Sequence, residues 1–347
     1  MNESLERSPA QPFQLLKRVV LWTALFLSLV VIALAVWLGS YAMGRNDDST
    51  TDTVIVNIPS GTSVRGISTI LGEAGLIKDD VRFLIFAKLR GVSGKLRAGE
   101  FAIDTGTTPL EVMDLLAKAV PLQHSVTIPE GLKIEEIAEI FAREGWCDAE
   151  EYIKLARDHS FIKELGFSEI DSLEGYLYPD TYNLTRNMHG TRKIIELQVQ
   201  RFHKVWKELT HELDPAPDVK ETVILASIVE KETGASSERP LIAGVFHNRL
   251  RKGMRLQSDP TVVYGVEGAG GPITRSQLRA ATPYNTYVIP ALPVGPIANP
   301  GKAALDAVLN PVESKYLYFV SKNDGTHQFS TNLRDHNRAV QKYQRKK

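Results

Sequence analysis

Cysteine occurs once in this chain, at Cys147, which excludes an intramolecular disulfide and leaves nothing for a cysteine-rich metal site. The plainest reading of that residue is a small side chain packed beside Trp146. An excess of charge of either sign is also missing, since 41 Lys and Arg stand against 41 Asp and Glu. With no global basic field to attract a polyphosphate, nucleic acid is not an expected partner. The eight histidines are scattered with no pair at i, i+4 spacing, so the helix motif of zinc proteases is absent. Neither a metal nor a cofactor is implied. What the chain does have is apolar side chain, 43% of 347 residues, which supports a substantial core and about two domains.

From Val19 to Met43 no charged residue occurs, and a run of that length crosses a hydrocarbon core as a somewhat tilted helix. Lys17 and Arg18 stand directly before it and Arg7 further back, while Arg45, Asp47 and Asp48 follow. The positive-inside rule then puts the N-terminus in the cytoplasm and the bulk of the chain outside. The start of the chain divides into a cytoplasmic tail (1–18), a transmembrane helix (19–43) and a polar linker (44–52). A cleaved signal peptide is the alternative, but its apolar core is normally about 7–15 residues long and ends at a small-residue cleavage site. Gly39-Ser40-Tyr41-Ala42 is a poor match to such a site.

The chain repeats itself at an offset of 70 residues: Val56-Asn57-Ile58-Pro59-Ser60-Gly61 returns as Val126-Thr127-Ile128-Pro129-Glu130-Gly131. Val64, Ile67, Ile70 and Leu71 then correspond to Ile134, Ile137, Ile140 and Phe141 at helical spacing, and Gly75 to Gly145 where each helix should stop. Each copy predicts a strand, a Pro-x-Gly turn and an amphipathic helix. Thr62 or Ser63 is placed to cap the first helix, and Glu135 and Glu136 favour the dipole of the second. The spacing explains a duplicated folding unit and equally suits a carbohydrate-binding module. Further on, Leu173 to Tyr182 packs three tyrosines, a Gly and a Pro into a short stretch, which reads as a shaped loop or as ordinary core.

Residues Lys220 to Glu232 form a helix apolar on nearly every face, which belongs in a core. Glu230 lies one turn beyond Ala226, close to the end of that helix near Gly234. Desolvation and the negative end of the helix dipole both raise such a carboxyl's pKa, as a general acid near neutral pH requires. The competing reading is an ion pair, with Arg239 and Arg249 as candidate partners. Glu232 points to the opposite side of a regular helix, so the two carboxylates do not form a local dyad. A second helix is predicted from about Glu238 to Lys252, ending at Gly253. The Pro- and Gly-rich loops beyond it carry amides, hydroxyls and aromatic faces suited to orienting sugar hydroxyls and N-acetyl groups. The expected substrate contacts are Gln257, Asp259, Thr261, Tyr284, Asn285 and Asn299, with Arg249 and Tyr182.

Ala226 to Thr233 (ASIVEKET), Val245 to Leu250, Gln257 to Val262 and Tyr284 to Tyr287 together resemble the endolytic murein transglycosylase (YceG-like) family. The loop Leu292 to Gly301, the strand Tyr316 to Val320, His327-Gln328-Phe329, and Tyr178 to Tyr182 fit it as well. The resemblance runs from about Val54 to Tyr343. It implies an α+β protein with an N-terminal transmembrane helix, a small LysM-like module (53–122) and a larger catalytic domain (123–347) that begins with the second copy of the repeat. It also implies that Glu230 is catalytic and that the reaction is non-hydrolytic cleavage between N-acetylmuramic acid and N-acetylglucosamine inside a peptidoglycan strand, leaving a 1,6-anhydro end. The implied setting is the inner membrane with the catalytic domain in the periplasm, where the enzyme releases or terminates nascent strands. Penicillin-binding proteins and other cell-wall synthesis proteins are the expected partners. Two rivals stand beside this reading: a muramidase-type hydrolase with Asp259 or Glu238 as second carboxylate, and a non-catalytic peptidoglycan-binding scaffold.

Overall fold

The computed structural model describes residues 11–45, 52–264, 266 and 272–344. The first ten residues of the expected cytoplasmic tail and most of the expected linker lie outside that set. The chain divides into two compact units: the described residues up to Gln123 with Thr185–Asn187, and His124–Leu184 with Met188 onward.

The first unit opens with helix α1 (Gln11–Ala42). Within it Leu16–Ala42 is long and apolar enough to cross a membrane. Then follow β1 (Thr53–Ile58), α2 (Val64–Glu73), α3 (Val81–Leu89), β2 (Gly99–Asp104) and α4 (Pro109–Lys118). β1 and β2 pair antiparallel, Val56 opposite Phe101, and the alternation of the strands sends Val56, Ile58, Phe101 and Ile103 into one core with Leu71, Phe83 and Leu116. Ser63 rather than Thr62 caps α2, its hydroxyl accepting from the Gly66 N–H at 3.2 Å.

The second unit repeats the plan. β3 (His124–Thr127) leads through the Pro129-Glu130-Gly131 turn into α5 (Ile134–Arg143), α6 (Ala149–Leu155) and α7 (His159–Glu164), and β4 (Thr181–Leu184) returns antiparallel to β3. Both copies stop their first helix at a left-handed glycine, Gly75 at φ 72° and Gly145 at φ 74°, a conformation in which a Cβ is strained.

The remainder is mostly helical: α8 (Thr191–Thr210), α9 (Val219–Glu232), α10 (Arg239–Arg251), the short α11 (Pro260–Val263) and α12 (Arg275–Arg279), and α13 (Lys302–Leu309). A hairpin of β5 (Tyr318–Ser321) and β6 (His327–Ser330) precedes the last helix, α14 (Leu333–Tyr343). The strand expected from Tyr316 begins at Tyr318; before it, the Leu317 carbonyl accepts from the Arg249 guanidinium at 2.7 Å. α9 is the axis of this unit. Every residue from Thr222 to Val229 is buried, and α10 and α13 pack against it. Each large apolar side chain taken out of water there is worth about 1.5–3 kcal/mol. A helix held on all sides gives its last turn a fixed position, and that turn carries Glu230.

Candidate active site

Asp218 caps α9 through the Glu221 N–H at 2.7 Å, and the helix ends at Glu232, two residues past Glu230. The Glu230 side chain is 5% exposed. One of its oxygens accepts from Arg239 Nη2 at 2.6 Å and the other from the Gly301 N–H at 3.0 Å. Burial is the largest influence on this carboxyl and raises its pKa; the Gly301 N–H and Arg239 act against that rise, and the charge of Glu130 adds to it. Glu230 is therefore both ion-paired to Arg239 and raised in pKa by burial. Of its two candidate partners only Arg239 is used. Arg249 is buried and donates to the carbonyls of Leu317 and Leu256, so it props the loop beyond α10.

Three chain segments meet at this carboxyl. The Ser227 hydroxyl accepts from the Ile297 N–H at 3.0 Å and ties the 292–301 loop to α9. Asn299 ties the same loop to the repeat turn. Its amide donates to the Leu132 carbonyl and to Glu174, both at 2.9 Å, while its own carbonyl accepts from the Gly131 N–H at 2.8 Å. Its side-chain oxygen accepts from the Gly175 and Leu177 N–H groups, both at 2.9 Å, which brings in the tyrosine-rich loop. Lys231 closes the ring by donating to the Gly131 carbonyl at 3.1 Å. The Gly301 N–H is thus delivered to Glu230 by a loop fixed at two points.

Two further buried carboxyls among the described residues are raised. Glu174 is pushed up to about 7 by burial, against hydrogen bonds from Tyr264 and the Ile134 N–H. Glu232 also rises to about 7 through burial, with the Ser258 hydroxyl donating to it. Glu230 and Glu232 have different neighbours, as their opposite directions on α9 require. Among the described residues no group of three or more His, Cys, Asp or Glu side chains is able to hold a metal ion.

The expected sugar contacts separate into two sets. Thr261, Asn285 and Asn299 have no exposed surface, and with Arg249 and Tyr182 they use their polar atoms inside the protein. Thr261 shares its hydroxyl with Thr286 at 2.8 Å, Asn285 donates to the carbonyls of Gln277, Leu278 and Ala280, and the Tyr182 hydroxyl donates to the Tyr178 carbonyl at 2.5 Å. Their residue types suit sugar, but loops this tightly turned need the same amides and hydroxyls for their own backbone. Gln257 and Asp259 are exposed, and Tyr284 is half-buried with its ring edge-on to Tyr264. Of the two carboxylates named for a hydrolase, Asp259 accepts from the Tyr287 hydroxyl at 2.6 Å and Glu238 pairs with His327 at 2.7 Å. The carboxylate that does stand at the Glu230 site was missed: Glu130, 3.6 Å from the same Arg239 nitrogen. A signal for it was present in the repeat, where the first copy has Ser60 at the matching place.

The YceG-like family model matches residues 56–342. An endolytic murein transglycosylase of Bacillus subtilis (strain 168) is 32% identical over 306 residues, covering 84% of this chain and 85% of that protein. One from Streptococcus pneumoniae (strain D39) is 29% identical over 318 residues, and this chain spans only 58% of it. The crystal structure of a YceG-like protein from Listeria monocytogenes superposes with a TM-score of 0.56 at 30% identity, covering 82% of this chain and 98% of that one.

Proposed function

We propose that this chain, which belongs to the YceG-like family, is an endolytic lytic transglycosylase that cuts peptidoglycan strands, with Glu230 as its acid and base. The observation that carries the reading is one carboxyl, buried at the end of a helix whose residues Thr222 to Val229 are all buried, and raised in pKa. Protonated Glu230 gives its proton to the glycosidic oxygen as the C1–oxygen bond breaks. The resulting carboxylate takes a proton from the C6 hydroxyl of the muramic acid as that oxygen closes on C1. The carboxyl is restored, no water is consumed, and no second catalytic carboxylate is required. Gln257, Asp259 and Tyr284 are the expected residues still open to a strand. The test is mass analysis of the ends formed when the full chain, solubilised in detergent, digests uncrosslinked glycan strands. Lytic cleavage gives anhydro ends; ends heavier by one water would replace this reading with the hydrolase.

The apolar helix Leu16–Ala42 supports a single membrane crossing, and Lys17 and Arg18 in its first turn, directly before the uncharged run, support a cytoplasmic N-terminus and an exported catalytic unit. A reporter that works only after export, fused after Lys347, is expected to be active. A cytoplasmic signal from that fusion would separate the enzyme from any cell-wall substrate and overturn the assignment to the inner membrane with a periplasmic active site.

A further inference from the structure

Glu230 presents a difficulty as a general acid, because its side chain is 5% exposed and one oxygen is covered by Arg239 at 2.6 Å. An acid must lose its guanidinium cover to reach a glycosidic oxygen, and it must be neutral when it does so. Protonating Glu230 in place would leave a cation only 10% exposed in its side chain without its nearest counter-charge. The structure supplies an alternative acceptor. Glu130 stands 3.6 Å from the same Nη2 atom, with a side chain that is 45% exposed. Its carboxylate lies flat against Gly301, where a Cβ would fall 1.7 Å from Oε1, so the residue that donates to Glu230 also makes room for Glu130. The Arg239 Nε–H is buried without a partner, so the guanidinium has an unused donor.

We propose that Glu130 is a positioning residue of the reaction, an alternative carboxylate onto which Arg239 shifts when Glu230 is protonated, so that the acid is uncovered without stranding the arginine. The inference rests on Glu230 being the acid and base. The only proton that moves goes from Glu230 to the leaving oxygen and returns from the C6 hydroxyl. When Glu230 becomes a carboxylate, Arg239 moves back and stabilises it. The other charged or titratable groups nearby come from several elements. Lys231 on α9 is engaged with the Gly131 carbonyl. Tyr178 feels the Glu130 charge, and Arg201, over the Tyr178 ring, is paired with Asp180 at 2.6 Å. Glu238, next to Arg239 in sequence, is turned to His327. None of these offers Arg239 a second carboxylate.

The test is the pH dependence of strand cleavage by the full chain in detergent. The wild type should lose activity on the alkaline side as Glu230 gives up its proton. Glu130→Gln keeps the shape and removes the charge, so Arg239 stays on Glu230 and favours its anion. The alkaline fall should then move to lower pH, with the deficit against wild type growing to about tenfold or more at the alkaline end. Glu130→Ser repeats the test with the residue that the first copy of the turn carries, should the Gln variant fail to fold. Glu130→Asp keeps the charge and should leave the fall nearer its wild-type position. An equal deficit at every pH, no deficit at all, or an Asp variant displaced as far as the Gln variant would each overturn the proposal. Glu230→Gln separates the two levels: if it stays active the underlying reading has failed, and if it is inactive while the Glu130 variants match wild type, only this inference has.

Discussion

Glu230→Gln is expected to remove strand cleavage while leaving the chain folded. Gln has nearly the same shape, and its carbonyl oxygen still accepts from either Arg239 or the Gly301 N–H, the two donors that hold the wild-type carboxylate. It has no proton to give at neutral pH and cannot take one from a hydroxyl. General acid–base catalysis is typically worth about 10²–10⁴-fold, and here one group performs both halves, so the loss should lie at the upper end or beyond. Removing one partner of a buried ion pair commonly costs about 3–5 kcal/mol because the other charge is left alone. Arg239 is not left alone, since Glu130 stands 3.6 Å away, and the stability cost should therefore fall below that range. Cleavage rate and the melting transition of the same preparation check the two statements separately. Retention of more than about a tenth of the wild-type rate would remove Glu230 from the mechanism.

Sequence patterning made some of this site legible and not the rest, for physical reasons. A helix apolar on nearly every face has to be interior, so α9 and the isolation of Glu230 from Glu232 follow from periodicity alone. The two repeat turns and their glycine stops were likewise readable, because a Pro-x-Gly turn and a left-handed glycine leave few backbone alternatives. The assignment of amides and hydroxyls to sugar was less legible. Thr261, Asn285 and Asn299 are the residue types that bind polysaccharide, and they are also the types that satisfy buried loop backbone. Only the tertiary path of the loops decides between those uses. Glu130 was hidden for the opposite reason, since it lies 100 residues before Glu230 and meets it where Asn299 pins the turn to the 292–301 loop and Lys231 holds the Gly131 carbonyl.

Gly175→Ala is expected to be among the most damaging single-methyl additions in the chain. Gly175 has φ 88°, in the left-handed region, so any Cβ is strained there by roughly 1–2 kcal/mol before neighbours are considered. The neighbours are unyielding: the new atom would lie 2.6 Å from two ring carbons of Pro296 and 2.7 Å from Cγ1 of the buried Val223. Overpacking of this kind adds about 1–3 kcal/mol, giving a total of about 2–5 kcal/mol. Relief requires the loop to move away from α9, and the Gly175 N–H would leave the Asn299 side chain that it shares with Leu177. Asn299 leads directly to Gly301 and its hydrogen bond to Glu230, so whatever fraction stays folded should also cleave strands more slowly. Gly145→Ala supplies the control, since it has a similar φ of 74° and nothing within 4 Å of the added carbon. It should cost only the backbone strain, about 1–2 kcal/mol, and leave the cleavage rate alone. Denaturant unfolding of both variants against wild type reads the difference. Equal destabilisation by the two would mean that Pro296 and Val223 yield without resistance and that the 173–182 loop does not fix the position of Asn299.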